Sequence, residues 1–353
     1  MDLNNLILFF LIIVFFFLFN NYILLIINKY KPKFLIDDQF LKPQAFHEKP
    51  ISTAGGLYIF ISFLIIFSNF LFINNIFFIE HLSFCTMFFL LGFLDDVKID
   101  IKARTRLIFM IVILLALVKW NNLYIDKTGI ELLDQWIKNS KTFSLIFVCL
   151  CFLFIINGAN LIDGYNGLLG IHSLVILTNL FFINYLNGND DLSILLLFSI
   201  LIIVIFLVFN FPKAKIFLGD SGSYLLGSFV AISTIKTSIA NPEISPFYFC
   251  LLLFYLFFEV FFSFFRKLII EKTPPIHPDT KHLHMLLYKV LLKNGIDKAK
   301  SNYSVSIIIN LFYLALIIPP IFMMNNGIFC KYYSILFFVL YIFCYRIAYE
   351  KTK

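Results

Sequence analysis

The acidic, amide and histidine side chains of this 353-residue sequence fall into a few short clusters. Asp95 and Asp96 are adjacent. Asn157, Asn160, Asp163 and Asn166 recur at every third position, and Asp220 stands in Gly219-Asp220-Ser221-Gly222. His277, His282 and His284 sit close to Asp279 and Lys281. Carboxylate and amide oxygens of this kind suit a hard divalent cation, with substrate oxygens completing its shell. Successive helical residues point about 100° apart, so Asp95 and Asp96 cannot both face one ligand squarely. One can face a metal or a substrate phosphate while the other pairs with Lys98, Lys102, Arg104 or Arg106; ordinary helix termination accounts for the same pair. The three-residue spacing of Asn157 to Asn166 makes one slowly drifting polar stripe if the segment is helical. Gly158, Gly164 and Gly167 leave room there for a ligand or for helix unwinding.

Gly-Asp-Ser-Gly also occurs around nucleophilic serines. Ser221, however, lies in a loop of about a dozen residues between apolar runs, with no room for a partner His and Asp. Asp220 is the better candidate, as a metal ligand at the mouth of a helix whose free N–H groups favour phosphate. In His47–Gly56, the pair Gly55-Gly56 allows either close backbone approach or an amide nest for an anion, with Lys49 beside it. His282-x-His284 fits a transition-metal site, a phosphate contact or a solvated cluster.

Composition says what must hold these clusters. Hydrophobic residues make up 61% of the chain and charged residues only 14%, against about 25% charged in soluble domains. This much apolar surface needs lipid as its solvent. Eleven apolar runs are centred on residues 3–27, 57–73, 79–94, 107–118, 143–156, 168–186, 192–209, 224–239, 247–265, 305–323 and 332–348. The first lacks a basic leader and a cleavage site, so it reads as a retained span. Segments 29–50, 95–106, 157–167, 210–222, 266–303 and 346–353 hold 22 of the 28 Lys and Arg, which assigns them to the cytoplasm. The amino terminus is then outside and the carboxyl terminus inside. The net charge of +7 reflects this bias and an anionic lipid surface, not nucleic acid. Residues 121–141, with Trp120 and Trp136, read as an interfacial amphipathic stretch. The six cysteines read as packing residues, and Glu259 and His172 as structural groups facing the helix bundle.

In sequence order, the loops resemble the polyprenyl-phosphate N-acetylhexosamine-1-phosphate transferase family, in its bacterial glycosyltransferase family 4 branch. The resemblance rests on Lys49–Gly56, Gly92-x-x-Asp95-Asp96, Asn157-x-x-Asn160-x-x-Asp163-Gly-x-Asn166-Gly-Leu168, Phe217-x-Gly-Asp220-x-Gly-Ser223 and Asp279-x-x-His282-x-His284. It implies one all-α polytopic membrane domain over residues 1–353, with about eleven transmembrane helices. The active-site loops would be 29–56, 92–106, 157–168, 210–223 and 266–303, on the cytoplasmic face of the inner membrane. The reaction it implies is Mg²⁺-dependent, with Mn²⁺ a substitute. HexNAc-1-phosphate passes from a UDP-N-acetylhexosamine to undecaprenyl phosphate, giving a lipid-linked pyrophosphate sugar and UMP and initiating a surface polysaccharide.

The same resemblance gives residue roles. Asp220 binds the metal, with Asp96 supporting it or the basic loop, and Asp95 orients or deprotonates the lipid phosphate. Asn157, Asn160, Asp163 and Asn166 shape the nucleotide-sugar pocket. Lys49, Arg104, Arg106, His282 and His284 neutralise phosphates beside Gly55 and Gly56. A phospho-MurNAc-pentapeptide transferase of the same family is the alternative, though Asp-x-x-His-x-His replaces the His-His-His run of that branch. A multispan anionic-lipid transporter is the alternative from another class. Partners are the lipid bilayer and the two substrates, with a homodimer left open.

Overall fold

Inside lipid a backbone must satisfy its own hydrogen bonds, so apolar runs of this length fold as helices. The computed structural model describes residues 11–12, 14–15, 18–19, 22, 34–37, 50–74, 76–99, 101–275 and 280–353. Over them the chain is an all-α polytopic membrane protein. A two-residue antiparallel ladder, β1 (Ile36–Asp37) with β2 (Ile51–Ser52), precedes α1 (Gly55–Asn74), α2 (Ile79–Asp96), α3 (Ala103–Trp120) and α4 (Glu131–Asn139). Then come α5 (Lys141–Ile162), α6 (Leu168–Leu186), α7 (Asp190–Asn210) and α8 (Gly219–Ala240). The chain ends with α9 (Pro246–Leu252), α10 (Phe254–Phe265), α11 (Leu283–Lys293), α12 (Lys298–Phe322) and α13 (Gly327–Thr352).

Ten of the eleven apolar runs coincide with these elements; the run at 3–27 lies mostly outside the described residues. Helices α1, α5, α6, α7, α12 and α13 are long and apolar enough to cross a bilayer. The run at 247–265 is not one straight helix. It breaks by 76° between α9 and α10, and α10 continues as a π-helical turn over Arg266–Glu271. At the break the Tyr313 hydroxyl donates to the Leu252 carbonyl at 2.5 Å, an insertion into the backbone ladder of the sort that kinks helices. The short α4 carries the amphipathic pattern read from sequence. Leu132 and Trp136 are exposed, Ile137 is buried, and Trp136 meets Phe143 edge to face at 5.4 Å.

Helix α8 forms the axis of the bundle. Every residue from Ser221 to Thr234 is buried, so the helix meets protein on all sides. Glycines make this crowding feasible, because small residues let backbones approach. A Cβ on Gly92 of α2 would lie 2.3 Å from the Asp220 carbonyl oxygen, and one on Gly227 would lie 2.9 Å from the Ile156 Cα of α5. On Gly158 it would lie 1.9 Å from the Leu256 carbonyl oxygen of α10. Helices α2 and α8 make the most extensive helix–helix contact. At the end of α2 away from Asp96, Lys236 Nζ donates to Glu80 Oε1 at 2.8 Å. One turn earlier in α8, Ser233 Oγ lies 3.3 Å from His81 Nε2.

The loop after α5 is tied down from outside itself. Buried Asn210 accepts from the Gly167 N–H at 2.7 Å and donates to the Ile216 carbonyl at 2.9 Å. Asn210→Ala would leave both backbone groups without that partner. A loss of about 2 kcal/mol is expected, read as a lower denaturant midpoint in detergent micelles. An unchanged midpoint would contradict the role assigned to this side chain.

Candidate active site

Four helix ends meet at one point. Helix α2 ends on Asp95 and Asp96, α3 begins near Arg106, α5 ends at Asn160 and Asp163, and α8 begins with Asp220. The acidic side chains of α2, α5 and α8 and Arg106 of α3 thus collect at these ends. Arg106 Nη1 donates to Asp95 Oδ2 and lies 3.6 Å from Asp220 Oδ2, with its guanidinium 5.9 Å from the Tyr224 ring centroid. Asn160 Nδ2 donates to Asp220 Oδ1 at 2.7 Å and to Ser223 Oγ at 2.9 Å. The two oxygens of Asp96 accept the backbone N–H groups of Asp220 and Ser221, at 2.9 and 3.0 Å.

This last contact revises one expectation. The first amides of α8 are not open to a phosphate, because the Asp96 carboxylate already takes two of them. A negative charge at a helix N-terminus is favourable, which explains why Asp96 faces inward while Asp95 turns to Arg106. The Gly55-Gly56 alternatives also resolve. Gly55 and Gly56 donate their N–H groups to the Phe217 and Leu218 carbonyls, at 3.0 and 2.8 Å. A Cβ on Gly56 would lie 2.3 Å from the Gly222 nitrogen. The pair therefore serves close packing of α1 on the start of α8, not an anion nest.

Asp163 is half-buried at the end of α5. Burial, followed by the charges of Asp220 and Asp96, pushes its carboxyl well above the ordinary carboxylate range. The site thus brings acidic groups together at a cost that a cation can offset. Among the described residues, no three His, Cys, Asp or Glu side chains form a ready cage for an ion. Mg²⁺ does not require one: it keeps several waters and takes one or two protein carboxylates. An all-oxygen donor set with mutual repulsion fits that ion, and Asp220 with Asp163 could hold it.

Other expected site residues lie apart from this centre or do something else. Asn157 Nδ2 bonds the Leu153 carbonyl of its own helix at 2.7 Å. Asn166 is a structural tie: its N–H donates to Asn302 Oδ1, its side chain donates to the Pro212 carbonyl, and its carbonyl accepts from Ser306. Of the four-member stripe, Asn160 bonds Asp220 directly and Asp163 lies within reach of the charges of Asp220 and Asp96. Arg104 is exposed in the first turn of α3. Lys49, His277 and Asp279 lie outside the described residues.

His282 and His284 are buried, at 3% and 0% exposure, rather than displayed on a solvated loop. Their rings stack at 5.5 Å, and His284 meets Tyr165 edge to face at 5.6 Å, which places the histidine loop against the loop carrying Asp163. His282 Nδ1 lies 3.1 Å from Glu259 Oε2. Glu259 is therefore joined to the histidine motif, contrary to its reading as a group facing only the bundle. A separation of 23 residues, across a π-helical turn and a loop, left no periodic signal for that pairing. His172 does pack inside the bundle, 3.1 Å from Asn310 Oδ1 and against the Tyr255 and Tyr313 rings. Ser223 and Tyr224 are site neighbours not singled out from sequence; Ser223 was visible inside the Asp220 motif, whereas Tyr224 reads as one more aromatic residue of an apolar helix.

The family model for Glycosyl transferase family 4 matches residues 77–238, a range that holds Asp95, Asp96, Asn160, Asp163 and Asp220. An undecaprenyl-phosphate alpha-N-acetylglucosaminyl 1-phosphate transferase of Thermotoga maritima is 33% identical over 238 residues, covering 67% of this chain and 68% of that protein. A phospho-N-acetylmuramoyl-pentapeptide-transferase of Dictyoglomus turgidum is 34% identical, covering 51% of this chain and 58% of that protein. An undecaprenyl-phosphate alpha-N-acetylglucosaminyl 1-phosphate transferase of Escherichia coli O157:H7 is 26% identical, covering 56% and 55% respectively. The chain thus spans 55% to 68% of the length of these relatives.

Proposed function

The chain belongs to glycosyl transferase family 4, and from that premise we propose that it transfers N-acetylhexosamine-1-phosphate from a UDP-sugar to undecaprenyl phosphate. The observation that carries this reading is the convergence of Asp96, Asp163 and Asp220 with Asn160 and Arg106 at the ends of four helices. Phosphoryl transfer needs little covalent chemistry from a protein; positioning and charge neutralisation do most of the work. A phosphate oxygen of the lipid forms a bond to the β-phosphorus of the donor. The bond from that phosphorus to the bridging oxygen breaks, and UMP leaves with the electron pair.

Mg²⁺, when bound, neutralises the oxygens of the transferring phosphoryl group. The residues of the chain divide the remaining work. Asn160 fixes the Asp220 carboxylate through Oδ1. Arg106 orients Asp95 and adds a positive charge beside Asp220. Asp96 locks the start of α8, so Asp220 cannot drift. A Cβ added at Gly164 would meet nothing within 4 Å, so the loop beside Asp163 is open at that position. The basic-residue bias supports a cytoplasmic position for this end of the bundle, on the side where nucleotide sugars are found. The product would begin a surface polysaccharide such as an O-antigen, a capsule or a teichoic-acid-like glycan.

The test uses membranes containing the full chain, undecaprenyl phosphate and a panel of radiolabelled donors: UDP-GlcNAc, UDP-GalNAc and UDP-MurNAc-pentapeptide. Label should pass from a UDP-HexNAc into the lipid fraction with stoichiometric UMP, and chelation with EDTA should stop it. Transfer from UDP-MurNAc-pentapeptide alone would move the chain to the peptidoglycan-precursor activity. No covalent product from any donor would overturn the enzymatic reading.

A further inference from the structure

Glu259 is an acid in the middle of an otherwise apolar helix, Phe254-Tyr-Leu-Phe-Phe-Glu259-Val-Phe-Phe-Ser-Phe-Phe265, and only 1% of it is exposed. An ionisable side chain in such a segment is costly unless it is paired, and normally marks function. The pairing here is specific. Oε2 meets His282 Nδ1 at 3.1 Å, and Oε1 accepts the Leu283 N–H at 3.2 Å. His284 Nδ1 lies 3.9 Å from Oε1 and 3.3 Å from the Tyr255 hydroxyl, one helical turn before Glu259.

Leu283 is the first residue of α11 and His282 is its N-cap. One carboxylate therefore holds the cap residue by its ring and the helix start by its amide. His282 gives α11 no side-chain cap of its own, so Glu259 takes that office from another element. A negative charge at that terminus is favourable. The same contact selects which face of each imidazole is turned inward, since both rings present Nδ1 to the Glu259–Tyr255 side. The break between α9 and α10 aims this stretch of helix at the loop, and Tyr165 closes the other side of His284.

We infer that Glu259 is a positioning residue for the reaction proposed above. It fixes the rotation of His282 and His284, and the start of α11, against the loop that carries Asp163. This inference rests on the proposed transferase reading for its catalytic consequence, but the positioning itself is a property of the loop. No covalent step is assigned to Glu259.

The experiment compares wild type, Glu259→Ala, Glu259→Gln and Glu259→Asp as full chains in detergent micelles. Hydrogen–deuterium exchange is followed over 280–286, with α2, α5 and α8 as internal controls. In Glu259→Ala, exchange over 280–286 should rise at least tenfold while the three helices are unchanged. With the donor that wild type uses, kcat should fall at least tenfold with KM for the donor altered less than threefold. Glu259→Gln keeps the size and an acceptor for the Leu283 N–H; it should leave exchange near wild type while still lowering kcat. Glu259→Asp should recover part of both.

Wild-type-like exchange over 280–286 in folded Glu259→Ala would overturn the inference, as would loosening spread equally over the whole bundle. If wild type turns over no donor, the transferase reading fails, and the exchange pattern still decides the positioning. If Glu259→Ala does not fold, the split in Glu259→Gln between preserved exchange and lowered kcat decides it.

Discussion

Asp220→Asn should lower Mg²⁺-dependent label transfer to lipid by about 10³-fold or more, the scale expected when a transition-state electrostatic partner is lost. The change is nearly isosteric, and the Asp220 side chain is 38% exposed, so membrane insertion and folding should survive it. What changes is charge and hydrogen-bond direction. An amide in place of the carboxylate must face either the Asn160 NH₂, now 2.7 Å from Oδ1, or Arg106, 3.6 Å from Oδ2. A donor would then confront a donor, and the hard-ion ligand would lose its negative charge. Asn157→Ala is the matched control. Its side chain bonds the Leu153 carbonyl within the same helix, and transfer should stay within about threefold of wild type, as for a residue outside the reacting constellation. Single-turnover UMP release in reconstituted liposomes separates the two variants. Near-normal release from Asp220→Asn would remove Asp220 from the metal site.

The second large effect is steric. Gly92→Val should cost both stability and transfer, although Gly92 touches no substrate in the proposed reaction. Even a bare Cβ at this position lies 2.3 Å from the Asp220 carbonyl oxygen and 2.5 Å from the Ser221 nitrogen, both rigid backbone atoms. Overpacking of this kind costs about 1–3 kcal/mol. The larger consequence is functional, because α2 must move away from α8 and take Asp96 off the amides of Asp220 and Ser221. A displacement of about 1 Å at a reacting centre can lower a rate by about 10²-fold. The expected result is a protein that still inserts, melts earlier and transfers label at least about 10²-fold more slowly. Wild-type transfer from Gly92→Val would mean that the α2–α8 contact does not set the position of Asp220.

Which residues gather was legible in the sequence; what each one touches was not. In a chain that is 61% hydrophobic, every polar cluster stands out against lipid-facing apolar runs, so Asp95, Asp96, Asn160, Asp163 and Asp220 identify themselves. The helical architecture follows from the same contrast. Pairing across space leaves no such trace. Asp96 could have faced a ligand or a helix end, and only the packing of Gly92 on Asp220 decides for the helix end. Gly55 and Gly56 read equally as an anion nest or a close approach until their amides are seen bonded to Phe217 and Leu218. Asn166 keeps the period of Asn157, Asn160 and Asp163, yet it sits past the end of α5, where helical periodicity no longer applies, and ties to Asn302 and Pro212 instead. Glu259 is the sharpest case: its partners lie beyond a π-helical turn and the loop that follows it, and no spacing rule spans both.

Helices α2 and α8 are pinned to one another twice. Asp96 grips the start of α8, and sixteen residues earlier Glu80 grips Lys236 near the other end. Two helices fastened at both ends cannot slide in register. A bilayer that thickens or thins with temperature or sterol content imposes hydrophobic mismatch, which proteins absorb by tilting, by local lipid deformation or by movement at their margins. Here the doubly fastened pair must tilt as a single rod, leaving adjustment to helices outside the pair such as the largely lipid-facing α13. The hold of Asp96 on the start of α8 is thereby kept in register as the surrounding lipid changes.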